Sequence, residues 1–523
     1  MPTLADLKAR CDVVVIGGGV HGAAAAREAA RLGRDVLLVE QHDFCARTSA
    51  NSLKIIHGGL RYLQTLNLTR SRESAREQGR LLQGAPHLVE TLPCIMGTGH
   101  SITRGRAAMA LGLWLYDHLI RAGLPRHPHG RLLGVAEANR LAGADLFRHC
   151  TGAALWYDAR ALDTERLVLT YLKTAEQDGA RILNYVAATD VEDRQGAVCV
   201  GLRDVSSGET ARIEAGVVID TGSLLAPHRA WSRAVNLVLK RDALNCAVAL
   251  RLADRSADSG RLFFAMPHHG ALIIGTWYFP DRESAPDKLS DAELERCVAD
   301  TRSMLPGLEI SRDDVSMVHV GRLPVRDPGR PLSLLEQPVI HRVGGTARVL
   351  SVTGVKYTTA GPTAVRALRL AGLPAGRDRA DTGAWYAASP SMKVVSEQVR
   401  GLLAAHLEGD ASGRIIDRLC RQYGAAAVDI ARRSLARPGG LERIPGCDAV
   451  DGEIEYCMEE EYCRTVGDFL LRRSGLGNLG EPPAGAAAHC AEVMGRWFGW
   501  SAARVEAELG ALAAHYRLTA PDL

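Results

Sequence analysis

The stretch CDVVVIGGGVHGAAAAREAARLGRDVLLVE, residues 11–40, constrains the fold more tightly than any other part of the chain. A short apolar run, CDVVVI, ends at a glycine turn; an alanine-rich helical segment follows, and RDVLLVE forms a second strand. Strand, helix and strand in that order predict a parallel sheet. Gly17, Gly19 and Gly22 fit G-x-G-x-x-G. The first permits a tight turn, the second lets backbone approach a pyrophosphate, and the third lets the helix pack closely. Glu40 closes the second strand, where a carboxylate accepts hydrogen bonds from a ribose diol and repels a 2′-phosphate. The pattern predicts a dinucleotide site, and NAD and FAD both fit the turn.

Two later segments favour FAD. GVVIDTGSLL, residues 216–225, is an apolar strand ending in Thr-Gly and resembles the second nucleotide-contact turn of flavoproteins with two dinucleotide domains. RVLSVTGVKYTTAGPTAVRAL, residues 348–368, reads as strand, glycine turn and helix. A helix N-terminus or Lys356 beside a flavin's pyrimidine edge would stabilise the reduced, negative form.

At 523 residues the chain exceeds one ordinary core and predicts two or three domains. Lys and Arg number 63 against 60 Asp and Glu, so no concentrated basic surface points to nucleic acid. Twelve cysteines without a C-x-x-C pair, and histidines not clustered at zinc spacing, predict no disulfide framework and no metal. A reducing, cytoplasmic setting follows. The N-terminus runs straight into the glycine turn and does not read as a leader. No uninterrupted apolar run reaches about 18 residues, so no bilayer span is expected. Arg106 to Arg131 mixes apolar residues with arginines; a core-packed helix is the favoured reading and a membrane-surface helix the alternative.

The segments RILNYVAATDVE, AVCVGLRDV and TARIEAGVVID predict an antiparallel meander, RLFFAMP and GALIIGTWYF further strands, and DKLSDAELERCVADTRSML a helix. Gly372 to Ser391 reads as a linker, and helix-period patterns fill the rest of the chain. The predicted fold class is α/β: a Rossmann-like FAD-binding domain, an antiparallel-sheet substrate domain and a C-terminal all-helical domain. Residues 1–375 form the oxidoreductase region, with the cap mainly about 85–150 and 225–345, and 390–523 the helical domain.

The motifs DVVVIGGGVHGAAAAREAA, TSANSLKIIHGGLRYL, APHLVETLP, LGLWLYDHL, SVTGVKYTT and IEYCMEEEYCRTVGDFLLRRSGL together resemble the FAD-dependent glycerol-3-phosphate dehydrogenases of the respiratory, quinone-linked type. The resemblance covers nearly the whole chain, and KIIHGGLRYL is its most specific signature. It implies oxidation of sn-glycerol 3-phosphate to the ketone by hydride transfer to flavin N5, peripheral attachment to the inner face of the cytoplasmic membrane, and electron delivery to quinone. A homodimer is compatible with it. Arg61, Tyr62, Arg322, Arg342 and Lys356 are the implied substrate-binding residues, and Lys356, Arg322 and His57 the catalytic candidates. The implied cofactor contacts are Gly17, Gly19, Val20, His21, Gly22, Glu40, Gln41, Thr48, Ser49, Ser52, Lys54, His57, Gly58, Gly59, Val186, Thr221, Gly222, Gly354, Val355, Lys356, Tyr357 and Thr358.

The chain departs from the family twice. A Gly-Ser-His-Ile-Val segment supplies the family histidine, but here KRDALNCAVAL puts Asn245 in its place, and neutral Asn cannot take a hydroxyl proton. Gly-Thr-Thr-Asp becomes GTWYFPD, with Trp277 and Tyr278 intruding. His57, His319, His268, His269 and Lys356 remain as candidate bases. Two rival readings stay open: a divergent member oxidising another phosphorylated alcohol or an amine, and a catalytically inactive flavin-binding partner protein.

Overall fold

The computed structural model describes the chain apart from residues 1–2, 61, 63–66, 102–104, 122–127, 227–229, 253–260, 282–286, 328–329, 331, 336, 374–390, 408–410 and 521–523, and the side chains at positions 119 and 411. Arg61 and most of the expected linker therefore lie outside the described residues. The chain forms two compact units, one of residues 1–50, 163–229 and 336–516, the other of residues 51–162, 230–335 and 517–523.

The first unit is built on a parallel sheet. Its strands run in the order Val339–Arg342, Val349–Thr353, Thr210–Asp220, Arg10–Ile16, Val36–Glu40, Arg181–Asn184. Pairing is parallel except at the Val339–Arg342 edge, and the meander Val186–Asp193, Val198–Asp204, Thr210–Asp220 is antiparallel, as its turn signals predict. Val13, Val14 and Val15 are fully buried, because helices cover a parallel sheet and its strands need apolar residues on both faces. Helix Val20–Arg31 packs on the sheet through alanines, whose small side chains let it lie close.

The C-terminal helices, from Met392–Leu403 to Ala502–Tyr516, belong to the same unit. Arg473 donates to both Asp43 oxygens, Nη1 to Oδ2 at 2.6 Å and Nη2 to Oδ1 at 2.7 Å. Arg166 on helix Thr164–Gln177 pairs with Glu461. Burial alone would raise the Asp43 carboxyl, but the Arg473 and Arg472 guanidiniums outweigh it and hold the group well below the usual range.

The second unit is a mostly antiparallel sheet in the order Val315–Pro324, Trp231–Leu239, Ala271–Pro280, Leu262–His268, Ala247–Arg251, Val89–Thr98, Gly152–Ala161, Ile55–Ile56. One face forms a core with helix Asp291–Met304, including Phe263, Ala265, Trp277 and Val320. Side chains alternate across a strand, so Phe264 and His268 stand on the opposite face.

Candidate functional site

In the first unit the glycine turn is as tight as its sequence requires. Gly17 has φ +105°, and a Cβ there would lie 2.7 Å from Thr221 Oγ1 and 2.8 Å from the Gly222 nitrogen. A Cβ on Gly22 would lie 1.8 Å from the Gly17 carbonyl oxygen, so only glycine lets the helix start against this turn. The Thr221 hydroxyl donates to the Ile16 carbonyl at 3.0 Å, joining the first glycine turn to the Thr-Gly turn. Glu40 Oε2 accepts from the Gly18 amide at 2.7 Å and Oε1 from the His42 amide at 2.9 Å. Burial raises its carboxyl pKa despite those two hydrogen bonds. Each oxygen keeps a further lone pair for a ribose diol.

The flavin-side residues converge in the same unit. The Ser49 hydroxyl accepts from the Val20 amide at 3.1 Å, and the Tyr357 hydroxyl donates to the Ser49 carbonyl at 2.8 Å. The Thr48 loop, the first helix and helix Tyr357–Leu370 are thereby tied together, with Lys356 as N-cap, Gly354 and Val355 half-buried and Thr358 buried. His21 is buried against Gly354, whose added Cβ would sit 2.6 Å from its Cε1. Among the described residues neither ring nitrogen of His21 has a partner, and burial, then the Arg366 charge, lowers its pKa to about 4. Buried polar atoms are rarely left unpaired. A helix start whose N-cap is a glycine, a glycine cradle and an orphaned imidazole beside it fit a bound FAD. Val186 packs in the core and Gln41 is exposed just past its strand.

The second unit holds the KIIHGG stretch. His57 Nδ1 lies 3.0 Å from Asp158 Oδ2, while its side chain is 51% exposed. Asp158 is buried. It accepts from the Gly58 amide at 2.7 Å, from Trp156 Nε1 at 3.1 Å and from Gln78 Nε2 at 3.2 Å. Burial would raise its carboxyl, but the His57 hydrogen bond and charge, then the Gly58 and Trp156 donors, bring it below the usual value, so it is ionised. The His57 ring meets Phe264 at 5.3 Å between centroids. Sequence reasoning missed Asp158, Gln78 and Trp156; a histidine followed by two glycines carries no signal of a partner 101 positions away.

The two glycines have reasons within the chain. A Cβ on Gly58 would lie 2.0 Å from the Tyr116 hydroxyl, and Gly59 has φ +95° against the Ser71 backbone. Tyr62 is stacked by Arg70, 4.1 Å from its ring centroid. Ser52 accepts from the Lys54 amide, and the Lys54 side chain is buried. Arg322 does not stand open: Nε and Nη2 donate to the two oxygens of Asp281, the first at 3.0 Å. Arg342 is exposed at the end of its strand in the first unit.

The expected intrusion of Trp277 is corrected by its position. It is fully buried on the core face, beside Phe263 and donating to Asp300 Oδ2 at 2.9 Å, opposite the face that carries Phe264 and His57. Tyr278 is half-buried under Arg261. Asn245 is exposed, its amide bonded to the Ala142 carbonyl and its side chain beside Gly143. Of the other imidazoles, His319 is buried and His269 exposed. His268 is buried with both nitrogens unpaired among the described residues, its pKa pushed well below the usual value by burial, then by His269 and Lys54. Helix Arg106–Leu115 exposes Leu111 and Trp114 and buries Leu113, so it is not wholly core-packed. Among the described residues no helix is long and apolar enough to cross a membrane.

A sequence profile described as FAD dependent oxidoreductase matches residues 12–366, and one described as the C-terminal domain of alpha-glycerophosphate oxidase matches 383–505. The chain is 28% identical over 505 residues to a glycerol-3-phosphate dehydrogenase of Synechocystis sp., covering 89% of this chain and 88% of the relative. It is 29% identical over 503 residues to glycerol-3-phosphate dehydrogenase 1 of Mycobacterium tuberculosis, covering 89% and 91%. In fold it is similar to the glycerol-3-phosphate dehydrogenase from Bacillus halodurans complexed with FAD, with TM-score 0.74, 21% identity, and coverage of 98% of this chain and 95% of that one.

Proposed function

The chain belongs to the family of FAD-dependent oxidoreductases, and from that premise we propose that it oxidises sn-glycerol 3-phosphate to dihydroxyacetone phosphate. The observation that carries this reading is His57, whose Nδ1 is tied to an ionised, buried carboxylate while its other face is open. Alcohol oxidation needs a base for the hydroxyl proton. His57 Nε2 takes that proton, and the carbinol C–H bond breaks with its electron pair leaving as hydride. Bound FAD supplies the two-electron acceptor for such a hydride. His57 thus fills the role that Asn245 cannot.

The profile match at residues 383–505 and the names of the relatives support a glycerophosphate substrate. Arg61 and Arg322 hold the phosphate in this reading, because forked guanidiniums suit a phosphate dianion. Lys356, at the start of helix Tyr357–Leu370, and Arg342 are the cations that the family resemblance implies on the first unit. Electrons pass onward to a quinone. The exposed Leu111 and Trp114 support a membrane contact for that step.

A second reading is favoured by one observation. Asp281 already occupies the Arg322 fork, which suits a divergent member whose substrate carries a positive group or a weaker anion. Anaerobic mixing with a panel of substrates separates the two. Flavin bleaching by glycerol 3-phosphate and not by glycerol or amines upholds the first; bleaching only by an amine or an unphosphorylated alcohol replaces it with the second.

A further inference from the structure

We infer that Asp158 is the positioning residue of the reaction, fixing His57 in the tautomer that leaves Nε2 able to accept a proton. The inference rests on the reading of His57 as the base and names what makes it one.

An ionised carboxylate can only accept hydrogen bonds, so the nitrogen facing it, Nδ1, must carry the proton of a neutral imidazole. The lone pair then falls on Nε2, the nitrogen not facing Asp158, on a side chain that is 51% exposed. The carboxylate itself has no freedom to turn. Oδ2 takes His57 and Trp156; Oδ1 takes the Gly58 amide and Gln78. The orientation of the Gln78 amide is set from behind, since its Oε1 accepts from Arg121 Nη1 at 2.8 Å and its Nε2 also donates to the Ile56 carbonyl at 2.7 Å. Four N–H groups thus converge on Asp158 from strands Ile55–Ile56 and Gly152–Ala161 and helix Leu68–Gly84 or their ends. Gly58 is part of the same device: any side chain there would meet the Tyr116 hydroxyl and Gln78 and lift the amide off Asp158.

An amide cannot replace this group, although it has the same shape. Asn at 158 has one acceptor oxygen, so its NH2 must face either the Gly58 and Gln78 donors or His57. In the second case it donates to Nδ1, drives the proton to Nε2 and abolishes the base.

The test is stopped-flow reduction of the FAD-loaded enzyme by glycerol 3-phosphate in the wild type, Asp158→Asn and His57→Asn, with 15N spectra of histidine-labelled wild-type protein assigned through His57→Asn. The expected result for Asp158→Asn is a flavin-reduction rate lower by about 10³-fold or more, with substrate affinity and bound FAD unchanged, because loss of the correct tautomer alone has an effect of that order in a triad. The wild-type spectrum should show Nδ1 protonated and Nε2 bare. Wild-type reduction rates in Asp158→Asn, or a wild-type spectrum with the proton on Nε2, would overturn the inference. Should Asp158→Asn fail to fold, the wild-type spectrum alone decides. Wild-type rates in His57→Asn would instead remove the base reading on which the inference rests.

Discussion

The Arg322 guanidinium is held by both oxygens of Asp281, so any phosphate it binds must compete with a carboxylate. Changing Asp281 to Asn should lower KM for a phosphorylated substrate by about tenfold, corresponding to about 1.4 kcal/mol, and Arg322→Ala should raise it while FAD stays bound. Steady-state kinetics on glycerol 3-phosphate check both; an unchanged KM in Arg322→Ala removes this residue from the phosphate site. His21 offers a test by pH. The native imidazole stays neutral to about pH 4, whereas an unfolded chain protonates it at 6.5. Between those values the unfolded state binds more protons, so stability falls as pH drops. Urea unfolding at pH 7 and pH 5 should show about 2 kcal/mol more loss in the wild type than in His21→Gln. The glycines and Glu40 were legible because their chemistry is local in sequence. Asp158 was not, since nothing near His57 encodes a partner from another strand.

At the scale of elements, the start of helix Val20–Arg31 depends on the absence of a side chain at Gly22. Gly22→Ala should push the helix off the Gly17 carbonyl and leave protein that purifies without its yellow cofactor, measured as the flavin-to-protein absorbance ratio. The parallel strands were readable because burial on both faces leaves unbroken runs such as VVVI and VLLV. Strands Val89–Thr98 and Gly152–Ala161 went unread. The first contains Pro93 and scattered polar residues, and the second places Asp158 inside a buried run, which breaks the apolar pattern where function resides. Trp277 illustrates the same limit. Its neighbours suggest a changed substrate pocket, but a register shift in its strand between Gly275 and Trp277 turns the ring into the core beside Leu272 and Ile274.

At the scale of the whole molecule, each unit is assembled from separated stretches of chain, an order that local patterns do not reveal. Buried ion pairs help join the C-terminal helices to the nucleotide sheet and its helices, Asp43 with Arg472 and Arg473 and Arg166 with Glu461, beside the edge-on contact of Phe44 with Tyr462. Removing Arg473 strips the two-pronged donor from buried Asp43 and leaves Arg472 to balance its charge, so Arg473→Met should reduce stability by about 3 kcal/mol, the low end for breaking a buried pair, in chemical denaturation. The helical periods of the tail were visible in sequence, but the pairs of Arg472 and Arg473 depend on Asp43, 430 positions from Arg473. In the proposed reaction His57 is the base of a flavin-dependent alcohol oxidation. The most direct test is the rate of anaerobic flavin bleaching on mixing with sn-glycerol 3-phosphate, compared between the wild type and His57→Gln. With His57 as the base, the wild type should bleach in a single fast phase and the variant in a phase slower by about 10²- to 10⁴-fold. Equal rates in the two proteins, or no bleaching of the wild type by glycerol 3-phosphate, would contradict that reaction.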